Sequence, residues 1–213
     1  MRQARPSGTA DQAVARGVPT GTPPPKVASK PLDLAIGERL RQLRASAGMS
    51  LGELSRLAGV SKAMIARVEK AESSASAVLL GKLCAGLGVT LSSVVALSER
   101  PFERLVRRDD QPVWRDPETG YRRRHVSPLG KASGIEIIDV ELPAGAQVPY
   151  SPWGARAYTQ QLFMLSGTLR LWVGDEPYDL SDGDCLDFDV LRPLIFQNPG
   201  EQPARYMVVI RNR

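Results

Sequence analysis

Thiol and imidazole side chains are scarce in this sequence, and none stands in a pattern that supports chemistry. Cys84 and Cys185 are its two cysteines, and neither belongs to a CxxC motif or has a histidine at metal-ligand spacing. The single histidine, His125, follows three arginines at 122–124. This pattern predicts reduced structural thiols and a histidine at the surface or in strand packing. Since no acid and base pair stands out either, we expect no enzyme activity, no metal and no cofactor.

Composition and charge predict a soluble chain with two small domains. Of its 213 residues, 42% are hydrophobic and 24% charged, as in ordinary globular proteins. No apolar stretch approaches the ~20 residues of a membrane-spanning helix, and the N-terminus lacks a secretory apolar core, so we expect a cytoplasmic protein without a membrane partner. The net charge is +4 over 1–31, +3 over 32–97, +3 over 98–131 and −5 over 132–213. This asymmetry predicts a polyanionic partner for the N-terminal half, although a solvated surface without a partner has the same charges.

Four regions follow from the residue pattern. Residues 1–31 are rich in Pro, Gly, Ser, Thr and Ala and predict a disordered basic tail. Apolar residues recur at helical spacing over 32–97 and predict a bundle of five short helices. A charged linker is predicted at 98–104, and residues 105–213 change to short runs separated by Gly and Pro, which predicts a β-barrel.

Local signals place the helices and strands within these regions. Ser50 and Glu53 form the pattern of a capping box, and Leu34, Ile36 and Leu40 are predicted on the inward face of the first helix. The strands are predicted at 121–126, 135–142, 159–165, 168–173, 185–188, 194–197 and 206–211.

The segment 50–69 strongly resembles the helix-turn-helix of the XRE family, the relatives of phage Cro and repressor proteins. The resemblance covers about residues 32–97. Its residue types are those that the motif needs, since a small Ser55 lets two helices approach, Gly59 permits a sharp turn and Ile65 fills the core between them.

Three positions depart from the family pattern. Ser55 stands where Ala is usual, Gly52 where a polar phosphate-contacting residue is common, and Ala71 where Gly is usual. These departures weaken the expected phosphate contacts more than the expected fold.

The resemblance implies that the third helix enters the major groove of DNA. The residues expected to contact base edges are Ser61, Lys62, Ala63, Ala66 and Arg67. The residues expected to contact phosphates are Arg44, Ser50, Ser73 and Ser74. Two alternatives stay open: Arg67 can form a structural pair with Glu53 or Glu69, and the whole motif can serve protein contacts alone.

The C-terminal region resembles a cupin, a small double-stranded β-helix barrel, through segments 142–145, 160–167, 180–184 and 198–200, taken in order. Metal-binding cupins hold their ion with two histidines, a glutamate and a later histidine. Here the stretch 148–153 has no histidine, Gln160 stands at the glutamate position and Leu194 stands at about the later histidine position. The resemblance therefore implies a cupin without the usual metal site.

Alternation along the strands predicts which side chains face the barrel lumen. The predicted effector pocket comprises Arg156, Tyr158, Gln160, Leu162, Met164, Phe196 and Asn198. Apolar walls, a cation and hydrogen-bonding groups suit a small organic effector, an anionic one in particular. In the alternative interpretation the apolar members simply fill the core and Arg156 lies in water.

Together the resemblances imply a transcriptional regulator with a barrel that senses a small molecule or dimerises. One recognition helix covers too few base pairs for genomic specificity, so we expect a homodimer on an inverted repeat of double-stranded DNA. Two alternatives remain. One is a cupin enzyme of the epoxidase or dioxygenase type, which the missing metal ligands disfavour, and the other is an antitoxin or adaptor whose barrel binds a protein.

Overall fold

The computed structural model describes residues 30–95, 104–128, 134–153 and 159–211. Positions 1–29 of the predicted tail and 98–103 of the predicted linker lie outside these ranges. Within them, helices come first and strands follow, as predicted. The helices are α1 (Lys30–Ser46), α2 (Leu51–Ala58), α3 (Lys62–Glu69), α4 (Ala77–Leu87) and α5 (Leu91–Val95). None of these is long and apolar enough to cross a bilayer.

Side-chain caps fix where α2 and α3 begin. The Ser50 hydroxyl accepts a hydrogen bond from the Glu53 amide at 3.2 Å, and the Glu53 carboxylate accepts one from the Ser50 amide at 2.7 Å. This confirms the predicted capping box. Gly59 ends α2 in the left-handed region (φ 63), and the Ser61 hydroxyl then caps α3 by accepting from the Met64 amide.

The helices enclose a common core. Ile36, Leu40, Leu54 and Ile65 are buried in it. The prediction for Leu34 was wrong, because this side chain is 58% exposed. Leu34 and Ile36 are two residues apart, which places them on nearly opposite sides of a helix with 3.6 residues per turn.

Ten strands form two antiparallel sheets in the described part of the chain. The strands are β1 (Val113–Arg115), β2 (Arg122–His125), β3 (Ile135–Leu142), β4 (Gln147–Tyr150), β5 (Thr159–Ser166), β6 (Leu169–Val173), β7 (Glu176–Leu180), β8 (Cys185–Asp189), β9 (Leu194–Gln197) and β10 (Ala204–Arg211). One sheet has the order β1-β2-β3-β10-β5-β8 and the other β4-β9-β6-β7.

Seven of these strands overlap the predicted ones, and β1, β4 and β7 were not predicted. Strand β1 has only three residues, while β4 and β7 contain Pro149 and Pro177, which weaken a strand signal. Burial alternates along β5 and β10, so that every second side chain of each strand points inward. The inner faces of the two sheets thereby form the barrel core.

Several side-chain hydrogen bonds join the helical unit to the barrel, and two of them hold α4 and the turn that follows it. The carboxylate of Asp116, a buried residue just after β1, accepts a hydrogen bond from the first amide of α4, at Ala77, over 3.0 Å. The indole nitrogen of Trp153 donates to the Val89 carbonyl at 2.9 Å. A carboxylate at the amino end of a helix also interacts favourably with the helix dipole, so both contacts stabilise the junction.

Close packing fixes the same junction. Gly81 of α4 packs directly against the ring of Tyr150. A Cβ atom at position 81 would come within 2.6 Å of Tyr150 Cδ1. Only glycine permits this approach, so α4 rests directly on the end of β4.

His125 is buried on the barrel side of β2. Its Nε2 lies 3.2 Å from the Ser127 hydroxyl, and its Nδ1 has no hydrogen-bond partner among the described residues. Desolvation lowers the pKa of His125, an effect that Glu136 partly opposes and the Arg123 charge reinforces. The imidazole is therefore neutral in the folded protein at neutral pH, in a strand-packing role.

We expect the Ala71→Gly variant to be more stable than the parent chain by about 1 kcal/mol, because Ala71 holds a positive φ of 54° that L side chains disfavour. Urea unfolding measures this difference. Gly59→Ala is the matched control, since Gly59 occupies the same left-handed region after α2, and this variant should lose a similar amount. An Ala71→Gly variant that is no more stable than the parent would show that the conformation carries no strain.

We expect the melting temperature to fall as the pH drops below about 6.5, because the unfolded chain then binds a proton that the folded His125 disfavours. This contribution is complete above pH 6.5 and is lost progressively toward the lower, folded-state pKa. Thermal melting between pH 5 and 8 measures the slope. His125→Gln should flatten the upper part of that range, since it removes the chain's one histidine. An unchanged slope in this variant would assign the effect to carboxyl groups.

Candidate nucleic-acid interface and barrel cavity

Helix α3 has one buried side and one exposed side. Ile65 and Val68 are 1% and 2% exposed and fix the helix to the core. Of the residues predicted to contact bases, Ser61, Lys62, Ala63 and Arg67 are exposed and Ala66 is half-buried. These five therefore lie on one accessible surface at the N-terminal half of α3 and along its outer side.

The starts of α2 and α3 come together beside Lys62. A Cβ atom at Gly52 would lie 3.2 Å from Lys62 Cε and 3.7 Å from the Ser50 hydroxyl oxygen. The missing side chain at Gly52 thus leaves room for the apolar stem of Lys62. This explains one departure from the family pattern, and it places Ser50 and Lys62 on a continuous surface.

Arg44 has a different role from the one the sequence predicts. Its guanidinium donates two hydrogen bonds to the Glu69 carboxylate, at 2.7 and 2.8 Å, and a third to the Met49 carbonyl at 2.9 Å. Such a bidentate pair is both oriented and partly buried. We therefore revise Arg44 from a phosphate contact to a group that ties α1 to the end of α3.

The pair of Arg44 and Glu69 also argues against a structural ion pair of Arg67. Glu69 is occupied by Arg44, and the Glu53 carboxylate is engaged in the capping box. None of the ion pairs between described residues includes Arg67. The exposed guanidinium of Arg67 is thus available on the surface of α3.

The three serines predicted to contact phosphates differ in their hydrogen bonding. The Ser50 hydroxyl accepts from the Glu53 amide, which leaves its own proton to be donated. The Ser74 hydroxyl donates to the Asp33 carboxylate at 2.7 Å. Ser73 is half-buried, and its hydroxyl lies 3.5 Å from the Ser74 carbonyl. Ser50 is therefore the serine best placed to donate to a phosphate.

The barrel contains a small cavity at the end that faces the helices. It has a volume of about 30 Å³. Gln160 and Phe196 line it, as predicted from alternation, and Leu91 of α5 contributes to the same wall. Arg156 and Tyr158 lie outside the described residues.

Three members of the predicted pocket do not line this cavity. Leu162 and Met164 face inward as predicted, but they pack in the core away from the open space. The Asn198 side chain donates to the carbonyls of Leu142 and Gln202 and accepts from the Gly200 amide. We therefore correct Asn198 from a pocket residue to one that closes a turn.

The charged group in the cavity is Arg123, which the sequence reasoning missed. In β2 successive side chains point to opposite faces. Arg122 and Arg124 face outward and pair with Asp139, while Arg123 and Tyr121 line the cavity. Three consecutive arginines on a strand were the available signal, because alternation sends at least one of them into the barrel.

Arg123 makes two hydrogen bonds to hydroxyl groups. It donates to the Tyr121 hydroxyl at 2.8 Å and to the Ser92 hydroxyl of α5 at 3.4 Å. Desolvation alone would lower the pKa of Arg123, but the phenolic oxygens of Tyr121, Tyr150 and Tyr206 outweigh it and the net shift is upward. The side chain is therefore a permanent cation.

The positions of the usual cupin metal ligands lie around the same cavity. Tyr150, Gln160 and Leu194 all line it. An amide, a phenol and an alkyl group beside a guanidinium do not fit a divalent cation, which prefers imidazole, thiolate or carboxylate donors. Among the described residues, no three His, Cys, Asp or Glu side chains are grouped to hold a metal ion.

Two sequence families cover most of the described chain. The profile of a helix-turn-helix domain matches residues 35–97, and that of a cupin domain matches residues 139–210. The HTH-type transcriptional regulator SutR of Escherichia coli (strain K12) is 27% identical over 176 residues, which are 82% of this chain and 93% of that protein.

Solved structures share the fold. An HTH_3 family transcriptional regulator from Vibrio cholerae superposes with a TM-score of 0.72 at 23% identity, over 86% of this chain and 98% of its own. Hydroxypropylphosphonic acid epoxidase from S. wedmorenis reaches a TM-score of only 0.44 at 17% identity, over 86% of this chain and 100% of its own, which is too low to bear on function. With a helix-turn-helix followed by a cupin barrel in one chain, the protein has the domain organisation of the XRE-type helix-turn-helix transcriptional regulators that carry a C-terminal cupin domain.

Proposed function

We propose that this regulator reads double-stranded DNA through the exposed side of α3. The observation that carries the proposal is the orientation of that helix: Ile65 is 1% exposed at its back, whereas Lys62 and Arg67 are exposed at its front. Lys62 and Arg67 can donate to guanine acceptors, and Ala63 and Ala66 can contact thymine methyl groups.

Phosphate contacts extend the interface on both sides of α3. Ser50 lies beside Lys62, and Ser73 and Ser74 follow α3 in the chain. The Ser50 hydroxyl and the backbone amides at Ser73 and Ser74 would hold the register on the duplex without reading its sequence. Each cationic phosphate contact would also steepen the salt dependence of binding.

We propose a homodimer that binds an inverted repeat, since one α3 covers only a few base pairs. The barrel offers a surface for a second copy. Phe163 and Leu165, on the outer side of β5, are 43% and 40% exposed, and both lie inside the six-stranded sheet rather than at its edge. Burying two neighbouring large apolar side chains against the same pair in another copy would favour association.

We propose that this regulator acts in the cytoplasm and that its barrel serves sensing rather than catalysis. The lumen holds a guanidinium at the place where an oxygenase needs its metal, and a fixed cation repels a second one. Tyr150, Gln160 and Leu194 supply no carboxylate or imidazole to compensate. A small organic molecule that hydrogen-bonds to this lumen is the effector we propose.

The DNA proposal is tested by selecting bound sequences from a random duplex library. Fluorescence anisotropy then measures the affinity for the most enriched duplex. We expect Lys62→Ala and Arg67→Ala each to weaken binding by roughly 1 to 3 kcal/mol and to relax specificity at one base position if they contact bases. Arg211→Ala, an exposed cation at the end of β10, is the control and should bind as the parent does. If the selection yields no preferred sequence, the DNA proposal is wrong, and the result would favour an adaptor whose barrel binds a protein.

The dimer proposal is tested by measuring the mass of the protein with light scattering as it elutes from a size-exclusion column. We expect Phe163→Glu to shift the mass from dimer toward monomer, because a carboxylate buried between two copies would have no partner. Leu191→Glu is the matched control, since Leu191 is 55% exposed on a different part of the barrel. A dimer that persists in Phe163→Glu would move the interface elsewhere.

A further inference from the structure

We propose that Arg123 is the centre of an oxyanion-binding site, built at the junction of the barrel and α5, and that the effector binds there through a carboxylate or similar group. The regulatory part of this inference rests on the proposed function. The binding part rests on the cavity alone.

The first observation is a cation without a counter-charge. The guanidinium of Arg123 is partly buried among aromatic and aliphatic side chains at the cavity, and none of the ion pairs between described residues includes it. Its neighbours in the chain are paired, because Arg122 and Arg124 share the Asp139 carboxylate. A desolvated charge with only hydroxyl partners is costly, and an anion in the cavity would offset that cost.

The second observation is a set of hydroxyl donors beside this cation. Tyr121 accepts its hydrogen bond from Arg123, so its own proton can be donated elsewhere. The Tyr150 hydroxyl is buried and forms no hydrogen bond of normal geometry with a described residue, although Tyr121 lies close enough to influence it. Burial raises the pKa of Tyr150 well above 10, so the group stays a neutral phenol that can donate.

The size of the cavity limits what binds. The cavity of about 30 Å³ has room for roughly two water molecules, since a cavity needs ~10–15 Å³ to hold one. A planar oxyanion head group fits such a space, and a guanidinium can bind a carboxylate through two parallel hydrogen bonds. The class of ligand is therefore a small oxyanion, either a carboxylate or an inorganic ion of similar size.

The third observation is that both units form the wall. Leu91 of α5 lines the cavity, and Arg123 donates to the hydroxyl of Ser92. The ring of Tyr150, which also lines the cavity, contacts α4 at Gly81. An anion that draws Arg123 away from Ser92 or moves Tyr150 would therefore act on the helices that adjoin the DNA-reading motif.

A purely structural arginine would behave differently. If Arg123 served only to bind Tyr121 and Ser92, then Arg123→Met would lower the melting temperature in chloride buffer. In our proposal the charge of Arg123 lowers the stability of the protein when no anion is bound. Arg123→Met should therefore melt at the same temperature as the parent or higher.

The binding test uses the full chain and follows thermal melting with sodium acetate, formate or sulfate against sodium chloride at equal ionic strength. We expect acetate or formate, or sulfate if the ligand is inorganic, to raise the melting temperature saturably. Arg123→Met should lose the response. Tyr150→Phe should weaken the apparent affinity about 3- to 10-fold, as expected for one lost hydrogen bond.

Tyr206→Phe is the matched control. Its hydroxyl is also buried without a hydrogen bond among the described residues and lies near Arg123, but it is not part of the cavity wall. This variant should respond to anions as the parent does, within about twofold. The binding inference fails if no oxyanion stabilises the parent chain more than Arg123→Met.

A second arm separates this inference from the proposed function. Affinity for the selected duplex is measured with and without the stabilising anion, and we expect a change of threefold or more in the parent and none in Arg123→Met. Stabilisation without any change in DNA affinity would overturn the regulatory part. A chain that binds no preferred duplex would overturn the proposed function, while the melting experiment would still decide whether the oxyanion site exists.

Discussion

The close approach of α4 to the barrel is the constraint that orders the rest of this structure. Gly81 lies so near the Tyr150 ring that an added Cβ would come within 2.6 Å of it. Because α4 is held there, α5 follows across the end of the barrel, and Leu91 becomes part of the cavity wall. The hydrogen bond from the Ala77 amide to Asp116 fixes the start of α4, one turn before Gly81, and so adds a second attachment of this half of the helix to the barrel.

The same small-residue packing continues from α4 to the DNA-reading helix. A Cβ at Gly86 would lie 3.0 Å from the Ala58 Cβ, which brings α2 against α4 near the last turn of α2. Gly59 then turns the chain directly into α3. Such close packing leaves little room for independent adjustment, so we expect a displacement at Tyr150 to be passed on to the helices. The cavity and α3 are thus joined by a short series of direct contacts.

Local signals in the sequence predicted the parts of the fold that depend on neighbouring residues. The capping box of Ser50 and Glu53 is satisfied by groups three residues apart, and the inward face of β5 follows from its own alternation. The cavity depends on distant pairing instead. Leu162 lies opposite Val208 and is buried in the core, whereas Arg123 enters the cavity because β2 pairs with β3 in a register that sets Arg124 opposite Asp139. This pairing register cannot be read from any short stretch of the sequence.

The register also explains why Arg123 has no carboxylate partner among the described residues. Asp139 is buried, and Arg122, Arg124 and Arg205 all approach its carboxylate from the outer side of the sheet. Since alternate residues of a strand face opposite ways, satisfying this carboxylate with Arg122 and Arg124 turns Arg123 into the barrel. An apolar residue there would pack well against Val208 and Leu194, which line the same space. A cation instead lowers the stability of the empty barrel, and an anion that neutralises it recovers that free energy as binding affinity.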